Sequence, residues 1–145
     1  PLGVPMNLVP FITQTAIGLR EELKVFGNDY PTPDGTAIRD YIHVVDLAKA
    51  HVVALKRLLK DDAAPRYDVF YLGTGTGSSV VEAINAFERA TGEKLNWVFA
   101  PRRTGDVIQA YADTSKANEV LGWKTELTIE DAMRDAWRWE KKIRS

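Results

Sequence analysis

Residues 38–59 read IRDYIHVVDLAKAHVVALKRLL, and this stretch decides the fold class. In Ile38–Val45 successive side chains divide between two faces, which predicts a strand. Asp46 is a favourable N-cap residue, and we expect it to open a helix over Leu47–Leu59. The predicted inner face of this helix follows helical spacing and consists of Ala48, His51, Val52, Leu55, Leu58 and Leu59. A strand that leads directly into an amphipathic helix favours an α/β fold.

Upstream of this stretch the same alternation of elements is predicted. Apolar residues three and four apart form one stripe over Asn7–Arg20 and predict a helix. Leu23–Phe26 has the composition of a short strand. The prolines, glycines, Asn and Asp residues of Gly27–Gly35 are turn formers, so this segment is predicted to be a loop.

Downstream, two capping pairs predict where helices begin. Ser79 with Glu82, and Thr128 with Asp131, have the spacing at which a side chain caps its own helix. We expect the first of these helices to stop at Gly92. The other predicted features are a polar connection at Asp61–Arg66, strands at Asp68–Leu72 and Leu95–Phe99, and a short helix at Ser115–Leu121 closed by Gly122. The predicted buried face of the last helix is Ile129, Ala132, Met133, Ala136, Trp139 and Ile143.

Composition excludes several classes of protein. The 145 residues suit one domain, 1–145, and the formal net charge of −1 argues against nucleic-acid and anionic-membrane partners, which usually require a basic excess. The chain has no cysteine, which rules out disulfides, thiolate zinc sites and cysteine nucleophiles, and no apolar run approaches a membrane span. His43 and His51 lack a third ligand at metal-binding spacing. We therefore expect no metal site, no membrane segment and a cytoplasmic location.

Residues 73–77, GTGTG, resemble a cofactor-binding turn because they lie between a predicted strand and a predicted helix. That order of elements places a pyrophosphate on a helix N-terminus in dinucleotide-binding folds. However, Ser78 stands where G-x-G-x-x-G needs its third glycine, and no further strand–helix units follow. We interpret the turn as a tight connection in which glycine accommodates positive φ.

Several polar and aromatic residues lie at the ends of elements or in loops, where binding groups are usually displayed. Two arginines from distant segments with a carboxylate nearby would suit a diphosphate joined to a sugar, since guanidinium groups bind phosphate oxygens strongly. The alternative is that Arg39 pairs with Asp40 or Asp46 and that the loop arginines are merely solvated. The residues that draw attention in this way are Asn7, Leu8, Phe26, Arg39, Tyr41, Arg103 and Asp106.

The longest of the motifs, residues 25–48 (VFGNDYPTPDGTAIRDYIHVVDLA), closely resembles the UDP-glucose 4-epimerase family. The resemblance continues through Tyr71–Gly75, Ala100–Asp106, Ala112–Ala117 and Leu121–Trp123, so it covers nearly the whole chain in order. Related nucleotide-sugar dehydratases and decarboxylases share the R-D-x-x-x-V-x-D-L core but usually lack the D-Y-x-T-x-D-G-T approach to it.

The resemblance implies a two-domain, extended short-chain dehydrogenase fold. An N-terminal Rossmann domain would hold NAD, and this chain would be the smaller C-terminal part that binds a UDP-hexose. Since the chain contains no Tyr-x-x-x-Lys pair and no nucleotide fingerprint, the catalytic residues are expected in the other part. No catalytic activity is expected from this chain alone. The family also implies a homodimer formed through the N-terminal part.

The resemblance further implies roles for individual residues. Met6 stands where the family often has Asn, and small Ala110 would leave room beside the hexose, which suggests that N-acetylated UDP-hexosamines are accepted as well. The implied positions are Asn7 and Leu8 along the nucleotide sugar, Lys24 (through its backbone) and Phe26 at the uracil, Arg39 and Arg103 on the diphosphate, Asp106 on the ribose hydroxyls, Val80 in the apolar wall and Tyr41 in support.

Three other interpretations remain open at this point. The chain would serve equally as the substrate domain of a related dehydratase or decarboxylase. It would also serve as a UDP-sugar-binding module without chemistry. Finally, a truncated chain would expose apolar surface and associate with itself, because Asp68–Leu72 is apolar enough to need a partner strand.

Overall fold

The computed structural model describes residues 5–60 and 67–145, and these form four longer helices and two small sheets. The helices are α1 (Leu8–Ala16), α2 (Val44–Lys60), α3 (Val80–Thr91) and α4 (Ile129–Arg144), with a π-helical turn at Ala117–Leu121. The strands are β1 (Leu23–Phe26), β2 (Ile38–Arg39), β3 (Ser78–Ser79), β4 (Trp97–Ala100) and β5 (Gln109–Ala110). The mixed α/β class predicted from the sequence is confirmed.

Helices α3 and α4 begin where their capping residues predict. The Ser79 hydroxyl accepts a hydrogen bond from the Glu82 amide at 2.9 Å, and the Glu82 carboxylate accepts one from the Ser79 amide at 2.7 Å. Thr128 and Asp131 form the same reciprocal pair at the start of α4. Helix α3 ends at Gly92, whose φ of 75° lies in the left-handed region that suits glycine.

The main core lies between three helices and the parallel pair β1–β4. Helices α1, α3 and α4 pack together over this pair, in which Phe26 is opposite Ala100. Phe87 is fully buried and meets Trp137 edge to face, with 5.8 Å between ring centroids. The buried members of this core are Ile12, Leu23, Val25, Ala83, Ile84, Ala86, Phe87, Leu95, Met133 and Trp137.

The second sheet is small and has β2 at its centre. Strand β3 pairs with β2 antiparallel and β5 pairs with β2 parallel, so Arg39 lies between Ser78 on one side and Ala110 on the other. This sheet therefore brings together the end of β2, the start of α3 and the chain that follows the loop after β4. Each of its strands is only two residues long.

The predicted strand over Ile38–Val45 is wrong beyond Arg39. Helix α2 begins at Val44, and His43 serves its first turn because the ring Nδ1 accepts a hydrogen bond from the Val45 amide at 3.0 Å. The β-branched residues favoured extended structure locally, but no neighbouring strand among the described residues is available to pair with the segment after Arg39.

Asp46 is not the N-cap of α2, as the sequence predicted. It lies inside the helix, fully buried, and its Oδ2 accepts the backbone amides of Glu126 (3.1 Å) and Leu127 (2.9 Å). Its carbonyl accepts the indole N–H of Trp123, which is the centre of a second, smaller core with Ala50. Asp46 therefore joins α2 to the connection before α4.

The predicted inner face of α2 is the exposed one. Its apolar residues lie at the surface, with Leu59 75% and Leu55 57% exposed, and the buried positions of the helix are Asp46 and Ala50. Residues of the predicted inner face that are exposed are Ala48, His51, Val52, Leu55, Leu58 and Leu59. The amphipathic pattern is real, but no described element covers this side of the helix.

Other boundaries differ for similar reasons. Asp68–Leu72 is not a strand, because no described strand lies beside it. Helix α1 ends at Ala16 instead of Arg20. On α4 Trp137 is buried whereas Trp139 is 61% exposed, so the buried face is rotated from the predicted one. The predicted connection at Asp61–Arg66 lies outside the described residues. Among the helices that the structure describes, none has the length and apolar character to cross a membrane.

Candidate binding site

Arg39 lies at the end of β2 with its guanidinium group held by backbone. Its Nη1 donates to the carbonyls of Ile38 (2.8 Å) and Val107 (3.0 Å), and the residue is opposite Ala110 in the sheet. No described residue accepts a hydrogen bond from Nη2 or Nε. A guanidinium group has five N–H donors in a planar fork, so the carbonyls orient the group while leaving most of its donors available to a ligand.

Arg103, Asp106 and Phe26 form a second cluster. The guanidinium of Arg103 donates to both carboxylate oxygens of Asp106, from Nε at 3.0 Å and from Nη2 at 3.3 Å. The same guanidinium lies 4.7 Å from the centre of the Phe26 ring, a cation–π arrangement. Phe26 is the last residue of β1 and pairs with Ala100, the last residue of β4. The loop that carries Arg103 and Asp106 begins directly after Ala100, so it starts beside Phe26.

The two clusters adjoin through the backbone. Val107, whose carbonyl receives Arg39, directly follows Asp106, and the chain then enters β5 alongside Arg39. The loop between β4 and β5 therefore carries Arg103 and Asp106 from the end of β1 to the side of β2. The convergence of the Arg39, Arg103 and Asp106 side chains on one ligand stays a prediction; the contact that the structure shows is the hydrogen bond from Arg39 to the residue after Asp106.

The alternative pairing of Arg39 with Asp40 or Asp46 is wrong. Asp46 bonds to backbone amides near α4, and Asp40 accepts bonds from Thr74 and from the Ala112 amide. Arg102, which the alternative treated as a solvated loop residue, pairs with the Asp29 carboxylate and lies 4.0 Å from the centre of the Tyr30 ring.

The remaining predicted site residues occupy several elements. Tyr41 is half-buried and packs against the main core, and burial raises its pKa to about 12, although the nearby charge of Arg39 lowers it. Tyr41 is therefore a neutral phenol at physiological pH and does not serve as a general base there. Val80 is the first residue of α3, and its amide donates to the Ala37 carbonyl at 3.2 Å, directly before β2.

Three predicted residues lie on the elements of the main core. Asn7 is at the N-cap position of α1 without a side-chain cap bond, and Leu8 packs against the core. Lys24 is exposed on β1, two residues before Phe26. Within the described part of the chain, no hydrogen bond links these residues to Arg39, Arg103 or Asp106.

The glycine turn at residues 73–77 is a tight turn, as we interpreted it. Gly75 has φ 76°, in the left-handed region, and a Cβ on Gly73 would overlap with the Asp40 carboxylate. The Thr74 amide of this turn donates to Asp40. Asp40 is the residue that sequence reasoning missed: it appeared only as a possible partner for Arg39, and its contacts are at least 34 residues distant in sequence.

With this geometry in place, the chain was compared with known proteins. Residues 2–136 match the family model described as GDP-mannose 4,6 dehydratase. The chain belongs to this family. The match covers both clusters and every described element except the C-terminal part of α4.

Proteins that are similar to this chain include UDP-glucose 4-epimerases. The chain is 50% identical over 140 residues to UDP-glucose 4-epimerase of Bacillus subtilis (strain 168), which covers 97% of this chain and 40% of the relative. A crystal structure of UDP-glucose-4-epimerase from Stenotrophomonas maltophila, with bound NAD and formylated UDP-arabinopyranose, has a TM-score of 0.94 and 48% identity. It covers 99% of this chain and 42% of that chain.

A further solved structure, UDP-glucose 4-epimerase from Bifidobacterium longum in complex with NAD+ and UDP, gives a TM-score of 0.88 and 46% identity over 98% of this chain and 41% of that one. The chain thus spans about 40% of the length of the curated relatives that it matches, and the part it matches is their C-terminal one. The predicted resemblance to the UDP-glucose 4-epimerase family, and to its C-terminal part, is confirmed.

Proposed function

We propose that residues 1–145 form the UDP-sugar-binding domain of an NAD-dependent UDP-glucose 4-epimerase, a cytoplasmic homodimer that interconverts UDP-glucose and UDP-galactose. The observation that supports the proposal is the hydrogen bond from Arg39 to the carbonyl of Val107, the residue that follows Asp106, which in turn pairs with Arg103. The reaction is a transient oxidation at C4 of the hexose, for which bound NAD accepts and returns hydride.

The diphosphate is the ligand group that best suits the two arginines. The fork of Arg39 is oriented by two carbonyls, and that of Arg103 is held against the Phe26 ring. Because both guanidinium groups already have partners within the chain, less conformational entropy should be lost on binding. Each hydrogen bond to a charged phosphate oxygen contributes about 1.5–3 kcal/mol.

Asp106 has capacity left for the ribose. A carboxylate has about four acceptor positions, and the Arg103 pair uses one on each oxygen. The remaining positions would accept two vicinal hydroxyls. The face of the Phe26 ring that Arg103 does not cover is then the surface proposed for uracil, with the backbone of Lys24 nearby on β1.

The remaining residues would shape the sugar end of the site. In our proposal Val80 forms an apolar wall at the start of α3, Asn7 and Leu8 lie along the nucleotide sugar, and Tyr41 supports Arg39 from the core side. Their positions on α1, α3 and the segment after β2 are compatible with these roles. None of them has to exchange a proton.

Ala110 is the residue proposed to set the range of hexoses. It lies directly opposite Arg39 on β5, is exposed, and adds only a methyl group to this edge of the site. We therefore propose that N-acetylated UDP-hexosamines are accepted. Replacing Ala110 with Tyr in the full-length enzyme should reduce the N-acetylated activity more than the activity on UDP-glucose. An unchanged ratio of the two activities would contradict this assignment.

In this proposal the domain anchors the substrate and leaves the reacting ring free. Binding energy from the diphosphate and the nucleoside, which do not react, positions C4 for the oxidation. The described residues do not fit NAD, because the turn at 73–77 has its Thr74 amide engaged by Asp40 and lacks the third glycine of the fingerprint. NAD and the proton acceptor therefore belong to the rest of the enzyme.

The rest of the enzyme would also cover the apolar side of α2. Val44, Val52, Leu55 and Leu59 are each more than half exposed and follow one face of the helix, and Tyr71 is exposed in the unpaired segment after it. The relatives extend well beyond the part that this chain matches, so their additional length is the occupant that we propose for this surface. A partner strand there would complete the strand predicted at Asp68–Leu72.

The proposal is tested with the full-length protein, in which the affinity for UDP and the conversion of UDP-glucose to UDP-galactose are both measured. We expect Arg39→Ala with Arg103→Ala to weaken UDP binding by a factor of about a hundred or more, because at least two charge-assisted contacts are lost. The matched control replaces Arg134 and Arg138, exposed arginines of α4 that pair with carboxylates three residues away. Unchanged UDP affinity in the site variant would refute the proposed pocket.

The same experiment separates the competing functions. A dehydratase would give a product one water lighter than UDP-glucose, whereas an epimerase leaves the mass unchanged. A non-catalytic module would bind UDP, with the same dependence on Arg39 and Arg103, and return the hexose unaltered.

A further inference from the structure

The carboxylate of Asp40 joins three separate parts of the chain. Its Oδ1 accepts hydrogen bonds from the Thr74 amide at 2.9 Å and from the Thr74 hydroxyl at 2.7 Å. Its Oδ2 accepts the Ala112 amide at 3.2 Å and is also 3.1 Å from the Thr74 amide. The end of β2, the glycine turn and the segment after β5 therefore meet at one side chain.

The glycine turn is shaped around this carboxylate. A Cβ on Gly73 would overlap with Oδ2 of Asp40 and lie 2.9 Å from the Ala112 side chain, so only glycine allows the approach. Backbone amides of such turns commonly bind the oxygens of a phosphate. Here the Thr74 amide has an internal anion, which explains why the turn resembles a cofactor site without being one.

The position of Arg39 depends on the same contacts. Arg39 directly precedes Asp40, and it is paired with Ala110, two residues before Ala112. Because β2 and β5 are each two residues long, their ladder alone supplies few hydrogen bonds. The hydrogen bond from the Ala112 amide to Asp40 attaches β2 to the segment after β5, whereas the Arg39–Val107 bond attaches it to the segment before β5.

We propose that Asp40 is a positioning residue for substrate binding. It occupies the glycine turn as an internal anion and thereby holds the end of β2 so that the Arg39 fork faces the diphosphate. This inference rests on the proposed role of Arg39. Asp40 itself does not contact the substrate in this scheme and acts through Arg39 alone.

The test is a double-mutant cycle in the full-length protein, with the Kd for UDP measured by titration calorimetry. Asp40→Asn keeps the size of the side chain but removes its charge and replaces one of its two acceptor oxygens with a donor, so the hydrogen bonds accepted by that oxygen are lost. We expect this variant to raise the Kd about tenfold, as when a charged contact is weakened by about 1.4 kcal/mol. In the Arg39→Ala background the same change should have an effect of less than about twofold, because residues that act through one contact are not additive.

Two further variants guard against a trivial structural effect. Thr74→Val keeps the amide bond to Asp40 but removes the hydroxyl bond to it, together with the contacts of that hydroxyl to Thr76 within the turn. It should raise the Kd for UDP about threefold with the same dependence on Arg39. It decides the question if Asp40→Asn does not fold. Asp131→Asn is the matched control, since Asp131 also accepts an amide and a hydroxyl, from Thr128, but at the start of α4. It should leave the Kd unchanged.

The outcomes distinguish this inference from the proposed function. If Arg39→Ala leaves UDP affinity unchanged, the proposed function itself fails. If Arg39→Ala weakens binding but Asp40→Asn and Thr74→Val do not, the positioning role is overturned. Losses that simply add in the double variant would likewise overturn it, because Asp40 would then act independently of Arg39.

Discussion

Replacing Arg39 with Lys in the full-length enzyme is the substitution most sensitive to the geometry of the site. Lysine keeps the charge but presents three N–H donors on one nitrogen, whereas arginine presents five in a planar fork. In the structure Nη1 alone satisfies two carbonyls, at 2.8 and 3.0 Å, and the other nitrogens are free of described partners. A lysine ammonium that kept both carbonyls would have one donor left for phosphate.

The magnitude follows from this count of donors. Losing one hydrogen bond to a charged oxygen costs about 1.5–3 kcal/mol, and the half-exposed position of Arg39 favours the lower end. Since about 1.4 kcal/mol corresponds to a factor of ten, Arg39→Lys should raise the KM for UDP-glucose about tenfold. Arg39→Ala should raise it about tenfold to a hundredfold. The change should lie mainly in KM, because the diphosphate is bound equally before and during the reaction.

The assay is steady-state epimerisation of UDP-glucose by the wild type and both variants. Arg138→Lys is the control, because Arg138 is an exposed arginine that donates to Asp135 on the surface of α4. If Arg39→Lys has the KM of the wild type, the planar fork is not used by the substrate, and the reasoning from the carbonyl contacts is refuted. A KM that rises equally in the Arg138→Lys variant would show that the effect does not come from contacts with the diphosphate.

Three other predictions concern stability and pH. Phe87→Ala, which empties the space beside Trp137, should lower the free energy of unfolding by about 3–5 kcal/mol in urea, and a loss below about 1 kcal/mol would contradict the packing described. Hydrogen bonds from the Thr128 amide and hydroxyl, with one from Arg134, lower the pKa of Asp131 to about 2, below its ordinary value of 3.8. Because the folded-state pKa is the lower one, the stabilisation is present above pH 3.8 and is lost as pH falls through about 2. The melting temperature of Asp131→Asn should therefore change less over this interval than that of the wild type. Burial raises the pKa of Tyr41 to about 12, so Tyr41→Phe should leave the shape of the pH–rate profile around neutrality unchanged, and a lost ionisation there would identify Tyr41 as a titrating group of the site.

Features that depend on near neighbours were predictable from the sequence. The capping pairs of α3 and α4 act over three residues, and both helices begin where these pairs place them. Strand β1 has the predicted bounds, and α3 ends at the predicted glycine. For the two helices, the interaction that determines the boundary is closed within about one turn of the chain. Strand β1 differs, because it pairs with β4, and there the local composition agrees with the distant partner.

Features that depend on distant partners were not predictable in the same way. Aspartate is a favoured N-cap residue, but α2 begins two residues before Asp46. The Asp46 carboxylate instead accepts backbone amides that lie 80 and 81 residues further along the chain. The amphipathic pattern of α2 correctly identified an apolar face. It did not show that no described element of this chain packs against that face. The family resemblance, in contrast, used many positions at once and pointed to the correct family and the correct part of its members.

By itself, then, the sequence determined the α/β class and the capped helices, and it supplied the charged and aromatic side chains of the proposed site. Only the tertiary structure decided that Arg39 reaches the Val107 carbonyl, 68 residues further along, and that Asp40 fills the turn at Gly73. The physical reason is the range of the forces. Capping and turn preferences act between neighbours in the chain, whereas a binding site requires distant segments to be brought together by the burial of a common core.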